Sequence, residues 1–214
     1  SRLETAHAMS ARCFRWVSDT LDGDYRLPRF QRPWRWTDEQ ILALLDSLVA
    51  GHHVGTLLLW ERYGLPASTE MFGEVPIECA AGQGAMVVDG QQRLGALVTA
   101  AKSGRFWFHM LDGRFSVGQG GPWLAPVGGF LCHGICDSLD WIDAHAKAHE
   151  LDRDRVQDAW ACSCDALQNA NLHAIVLSSR WPRARVVETF RRLNSTGTPI
   201  APEDLEAALA SAEE

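Results

Sequence analysis

An α+β fold is what this chain predicts, and three observations carry it. Short apolar runs of strand length at 55–61, 85–88 and 171–179 are separated by stretches with the spacing of amphipathic helices. They do not follow the regular strand–helix–strand rhythm of a doubly wound sheet. An Asp-Gly pair at 112–113 joins two aromatic-rich runs in the manner of a hairpin. A chain of 214 residues can bury a substantial core without disulfide staples. A single domain over 1–214 is therefore expected, with a core over about 20–118 and 171–214 and a mostly helical insertion over about 119–170.

The elements can be justified in order. DYRLPRFQRPWRW (24–36) is extended and turn-rich, because Pro28 and Pro33 each push the preceding residue out of the helical region. Thr37 opens the helix TDEQILALLDSLVAG: Thr37 and Gln40 fit a capping box, Ile41, Leu44, Leu45 and Leu48 make one apolar face, and Gly51 stops it. GTLLLWE (55–61) reads as a buried strand. The Gly-, Pro- and polar-rich stretch 62–84 is expected to be loop with a short strand at VPIEC. AMVV (85–88) is a second buried strand, and QQRLGALVTAAKSG a helix ending at Gly104. RFWFHML and RFSVG form the hairpin, and 118–130 is expected to be a glycine-rich loop, weak as a phosphate signature because no GK[ST] ends it. Residues 137–169 read as helical with a break near Leu151-Asp152, and NLHAIVLSS (171–179) as a strand. A helix from Pro182 to Leu193, a tight turn at NSTGTP and a closing helix PEDLEAALASAEE complete the chain.

Bulk properties narrow the function classes. No run approaches the ~18 apolar residues of a membrane span and no signal pattern opens the chain, so a cytoplasmic protein without membrane contact is expected. The six cysteines lack the density and spacing of a disulfide scaffold and read as buried free thiols. His145 and His149 share a helix face without the glutamate of a metalloprotease motif, and read as solvent-facing. A net charge of −7 argues against a protein that coats nucleic acid through overall electrostatics. Two arginine clusters survive that total: Arg26, Arg29, Arg32 and Arg35, then Arg180, Arg183, Arg185, Arg191 and Arg192. Each is either a local anion-attracting patch or a solvated set balanced by nearby acids. Arg29, Arg35 and Arg191 are the candidates for contact with nucleic acid.

Three constellations bear chemistry. In AMVVDGQQRLGAL, Gly90 permits a sharp strand-to-helix turn, and the first N–H groups of a helix carry the positive end of its dipole. Gln91, Gln92 and Arg93 add side-chain donors; Arg93 can grip a phosphate in bidentate fashion, and Asp89 is placed to hold Mg²⁺ or a water. The plain alternative is a turn in which Asp89 caps the helix and Arg93 pairs with a surface acid. In PRFQRPWRW, Gln31 and Arg32 stand among aromatics and prolines, which suits a planar, charged ligand. In FRRLNSTGTPI, Asn194 and Gly197 tolerate left-handed backbone in a polar turn after a helix.

In this order the three segments resemble the N-terminal domain of GmrSD-type modification-dependent restriction enzymes, a family that includes the phosphorothioate-sensing SspE proteins of phage defence. The resemblance covers roughly 20–210. It implies a ParB/sulfiredoxin-like core, a small mixed sheet with flanking helices, in which the DGQQR loop binds nucleotide phosphates. It implies a nucleoside triphosphate (GTP, ATP or CTP) with Mg, and NTP hydrolysis coupled to recognition of modified DNA, phosphorothioate or glucosylated at cytosine. Carried over to this chain, Asp89, Gln92 and Arg93 are the catalytic candidates, and Gln31, Arg32, Gly90, Gln91, Asn194 and Gly197 the nucleotide-binding ones. Gly95-Ala96 stand where many members have two threonines, and Phe30 and Trp34 where tyrosine is common. In such enzymes a C-terminal HNH nuclease domain makes the cut, and no HNH constellation exists among the eight histidines. The expectation is an N-terminal domain taken from a longer protein, which a start at Ser1 fits, or a short member with a partner nuclease and a tendency to homo-oligomerise. The alternative function is a non-hydrolysing module that binds modified DNA or a partner protein.

Overall fold

The computed structural model describes residues 6–28, 33–132 and 138–193. Its first elements are a strand β1 (His7–Arg12) and a helix α1 (Cys13–Leu21), for which the sequence reading offered no assignment. Trp16 anchors this start: it is fully buried, and its Nε1–H donates to the Leu172 carbonyl at 2.9 Å across the fold. A two-residue strand β2 (Tyr25–Arg26) follows, then α2 (Asp38–Val49). The expected capping box is present in both directions: Thr37 Oγ1 accepts from Gln40 N–H, and Gln40 accepts from Thr37 N–H at 2.9 Å.

Beyond Gly55 the chain is more extended than expected. Strand β3 (Thr56–Leu65) runs on past the apolar segment, β5 (Val75–Cys79) is the short strand expected at VPIEC, β6 (Gly82–Asp89) extends the expected 85–88 at both ends, and β4 (Ser68–Phe72) stands where loop is expected. The polar composition of 62–84 misled because β4 and β5 form a two-stranded hairpin with an exposed face, where alternation rather than an apolar run is the strand signal. Helix α3 (Gln91–Lys102) follows, then β7 (Phe106–His109) and β8 (Phe115–Val117), which pair antiparallel as the Asp-Gly turn predicts. The glycine-rich 118–130 is also not all loop: β9 (Leu124–Pro126) adds to β7, and α4 (Val127–Cys132) begins at once. Two helices, α5 (Ser138–Ala148) and α6 (Arg153–Gln168), break where expected, and β10 (Asn171–Leu177) and α7 (Arg183–Leu193) close the described chain. The fold is α+β, with 42% of the described residues helical and 30% in strands. The final turn and helix read from the sequence lie outside the described residues.

The principal sheet has the order β1-β10-β3-β6-β2 and is mixed: β10 pairs parallel with β3 and antiparallel with β1, while β6 pairs antiparallel with β3 and parallel with β2. The inner strands β3 and β6 are buried on both faces because alternate residues enter different cores. Leu57, Leu59 and Val87 join the larger core with α1, α2, α3 and the helical segment α4–α6; Leu58, Trp60, Met86 and Val88 face α7 through Val186, Val187 and Phe190. The helices of 127–168 thus share the main core rather than forming one of their own.

Two readings need correction. His145 is not solvent-facing: its ring stacks on Trp141 with centroids 4.4 Å apart, and its Nε2 lies 3.0 Å from the Pro122 carbonyl. Among the described cysteines, Cys13, Cys79 and Cys164 are buried, but Cys162 is exposed on α6, whose outward face has no neighbour to cover it.

The hairpin β4–β5 docks on α3 through two glycines. Gly73, at φ 65°, sits so close that a Cβ there would lie 2.1 Å from Thr99 Oγ1 and 2.5 Å from the Gly95 carbonyl oxygen. A Cβ on Gly95 would lie 2.6 Å from the Gly73 nitrogen and 3.1 Å from the Trp34 ring. Position 95 therefore takes glycine because this hairpin approaches closer than a side chain permits. Gly95→Thr is expected to cost about 1–3 kcal/mol, as overpacking does, measured as a shifted urea midpoint at unchanged slope.

Burial also separates the thiols. It pushes Cys13 up to about 12 and Cys164 up to about 11 from the ordinary 9.0, so neither supplies thiolate near neutrality. Maleimide labelling of the folded protein at pH 7.5, mapped by peptide mass spectrometry, should mark Cys162 well before Cys13 or Cys164.

Candidate functional site

The site lies at the end of β6. Asp89 is the last residue of that strand, opposite Leu58 of β3, and Gly90 turns the chain directly into α3. Gly90 is left-handed, at φ 93°, and a Cβ there would lie 2.3 Å from Leu57 Cδ2. Both facts require glycine: the backbone region and the lack of room. As N-cap it contributes no side-chain hydrogen bond, and the first turn of α3 holds no acid. The positive end of the helix is therefore left without a compensating group inside its own first turn.

Arg93, in that turn, reaches back beneath the loop. Its Nη1 donates to the Val54 carbonyl at 3.3 Å, and its Nη2 to the Thr56 carbonyl and to Asp89 Oδ2, each at 3.2 Å. The side chain is 15% exposed, and burial pulls its pKa down from the ordinary value, opposed by the Asp89 carboxylate. A guanidinium tolerates such burial only when its N–H groups find acceptors, and three lie in place. Gly55 makes the room: a Cβ there would lie 2.5 Å from Nη1. In this arrangement Arg93 faces the backbone, so it lends an anion its charge from below rather than a bidentate grip. Asp89 does not cap the helix; it braces Arg93 through Oδ2, the one Asp89 hydrogen bond among the described residues.

Gln91 and Gln92 border a cavity of about 130 Å³ with Leu27, Pro33, Trp34, Met71 and Gly73. Trp34 and Trp36 face one another with ring centroids 6.5 Å apart. Gln92 Nε2 reaches the Pro33 carbonyl at a long 3.5 Å, while its Oε1 is buried without a donor among the described residues. A buried acceptor without a partner is costly, so a group entering beside it must bring a donor: a water or a hydroxyl. The space holds roughly four waters at ~30 Å³ each, enough for a phosphate or a sugar ring and too small for a whole nucleotide.

The structure brings Asp89, Gly90, Gln91, Gln92 and Arg93 together at one sheet edge. Arg35 is exposed on the segment leading into α2. Arg191 is remote from this edge in role: it lies on α7, against the opposite face of the sheet, and bonds Glu188 at 2.9 Å, as Arg192 does at 2.6 Å. These hydrogen bonds hold the Glu188 carboxyl below its usual range. Arg185 of the same cluster stacks on Trp181 at 3.7 Å. Gln31, Arg32, Arg29, Asn194 and Gly197 lie outside the described residues. No group of three or more metal-ligating side chains exists among the described residues, so a Mg²⁺ on Asp89 would draw its other oxygens from water and phosphate. Sequence reasoning missed the loop before β3, whose carbonyls hold Arg93 and whose His53 pairs with His173 at 5.8 Å between centroids; the available signal was Gly55 directly before a strand.

These features define a class of protein: an α+β domain with a strand–glycine–helix turn at the end of an inner strand of a mixed sheet. The chain belongs to the family of the GmrSD restriction endonuclease N-terminal domain, whose model matches residues 14–210. That makes it a component of a restriction system, associated with DNA and a nuclease domain. No match is found among curated proteins. Among the described residues no helix is long and apolar enough to cross a membrane.

Removing Arg93 should loosen the cradle. Arg93→Ala leaves two backbone carbonyls and part of a carboxylate without donors, an expected loss of about 2–4 kcal/mol by chemical denaturation. Arg93→Lys should recover little, because a single ammonium cannot span all three acceptors. Faster amide exchange at 54–56 in both variants would mark the same loss.

Proposed function

We propose that this domain binds a nucleoside triphosphate with Mg²⁺ and hydrolyses it as the sensor of a modification-dependent restriction system, thereby regulating DNA cleavage by a nuclease domain or subunit. The observation that carries the reading is the uncapped start of α3 behind left-handed Gly90, bordered by a cavity with two glutamines. The phosphates lie against the backbone of Gly90 and Gln91, with Arg93 as fixed positive charge below. Arg32, Gln31, Asn194 and Gly197 are proposed to close the site around the ligand. Asp89, whose Oδ1 is not used by Arg93, is the candidate Mg²⁺ ligand. Gln92 Oε1, the acceptor without a donor, suits the attacking water: accepting its hydrogen bond orients the oxygen, and the dipole and Arg93 stabilise charge on the phosphoryl oxygens. Exposed Arg35, with Arg29 and Arg191, is proposed for contact with modified DNA, phosphorothioate or glucosylated at cytosine; homo-oligomers and a cytoplasmic location complete the reading.

One observation favours the alternative of a binding module without turnover: Asp89 is already engaged with Arg93, and no further carboxylate joins it in a metal-ligating group among the described residues. Gln92→Ala separates the two. Under the first reading, phosphate release with Mg²⁺ falls roughly 100-fold, the scale of a lost proton-positioning group, while calorimetry still shows nucleotide binding. Under the second, neither wild type nor variant releases phosphate, and modified-DNA binding persists without nucleotide. A folded wild-type protein that binds no nucleotide in a GTP, ATP, CTP panel defeats the proposal.

A further inference from the structure

A second cavity, of about 470 Å³, adjoins the first and shares Leu27 and Met71 with it. Its volume falls within the range of small-molecule pockets, and its walls are largely apolar, with Leu65, Pro66 and Met86 among them. Two charged groups interrupt that lining. Arg26 is 3% exposed and its guanidinium is held by the carbonyls of Gly23, Tyr25 and Ala80, yet its Nε–H has no acceptor among the described residues. It forms no ion pair with any carboxylate among the described residues, so its positive charge acts on the cavity through space. Glu70 provides the opposite sign: Oε1 accepts from Ser68 Oγ at 2.6 Å and Oε2 from Leu27 N–H at 3.2 Å. Each oxygen retains a lone pair, and the two bonds fix the carboxylate in orientation.

We infer that this cavity receives the nucleoside half of the triphosphate and that Glu70 reads its base. The inference rests on the nucleotide reading and adds a specificity to it. A carboxylate held with one free lone pair on each oxygen is matched by two N–H groups side by side. Guanine presents such a pair, N1–H and the 2-amino group, with acceptors on its far edge that suit the field of Arg26. Adenine and cytosine set a ring-nitrogen acceptor beside their amino group, and uracil has one N–H between two carbonyls; each brings an acceptor against the carboxylate. Apolar walls suit the faces of a planar ring.

The test is calorimetry with GTP, ATP, CTP, UTP and inorganic tripolyphosphate on the wild-type protein, Glu70→Gln and Ala67→Phe. Ala67 is an exposed lining residue, so the phenylalanine fills the cavity without disturbing a core. The wild type should bind GTP at least about tenfold tighter than the other three, the scale for leaving a buried polar group unpaired. Glu70→Gln should level the four, and Ala67→Phe should bring GTP down to the affinity of tripolyphosphate, which binds all three proteins alike. Equal binding of the four nucleotides by the wild type, or a guanine preference that survives both substitutions, overturns the inference while leaving the nucleotide reading standing. Failure of tripolyphosphate and all four nucleotides to bind the folded wild type overturns that reading, and this inference with it.

Discussion

The buried guanidinium of Arg93 is the constraint on which the site depends. Three chain segments meet at it: the loop before β3, the end of β6 and the first turn of α3. None of these would hold its position by local preference alone, since the loop is short and Gly90 weakens the helix start. Tied to one charged group, they move as a unit, and the helix start keeps a fixed angle to the sheet edge. The glycines at 55 and 90 are the counterpart of that tie, for a side chain at 55 would collide with the guanidinium and one at 90 with Leu57, crowding Nη2 at 3.1 Å. A cation here also raises the potential at the helix start without occupying the space an anion would need.

A different kind of constraint shapes the floor of the cavity. The contact of Gly73 with Gly95 brings a hairpin against α3 at backbone distance, and Trp34 covers the same spot. Thr99 joins the arrangement from one turn further along, accepting the Glu74 N–H at 3.1 Å. The hairpin tip is thus fastened to the same helix whose first turn carries the glutamines. Any ligand between them is gripped by parts of the molecule that share one rigid element, which limits the ordering that binding has to impose.

Much of this was legible in the sequence, for identifiable reasons. The capping box of Thr37 and Gln40 is a local signal and required no tertiary knowledge; the strand–glycine–helix turn at Asp89-Gly90 was legible for the same reason. What escaped was non-local. Strand β4 is polar on one side because its partner is another short strand, so its composition resembled a loop. Arg93 looked like a surface side chain because nothing in its neighbourhood along the chain reveals that the carbonyls of residues 54 and 56 lie beneath it. Glu70 gave no motif, and Arg26 stood out only within an arginine cluster although it is buried; strands far apart in the chain bring the two to one cavity. Gly95 stood out in the sequence, but its reason lay in a hairpin of which only the second strand, VPIEC, was legible.

The pairing of β1 with β10 has a consequence for how the chain comes into being. His7 lies opposite Val176, so β1 waits for its neighbour until nearly the whole described chain has left the ribosome. Until then β3 also lacks the partner on its outer side, and a row of unpaired amides stands open beside the apolar residues Leu57 to Trp60. Sheets closed by such distant partners form slowly, and an open edge of that kind invites pairing with another molecule. A nascent chain stalled short of residue 171 would present that edge for as long as the stall lasts. The glutamine-bearing helix start lies wholly before residue 171, so the cradle can exist before the sheet has been closed.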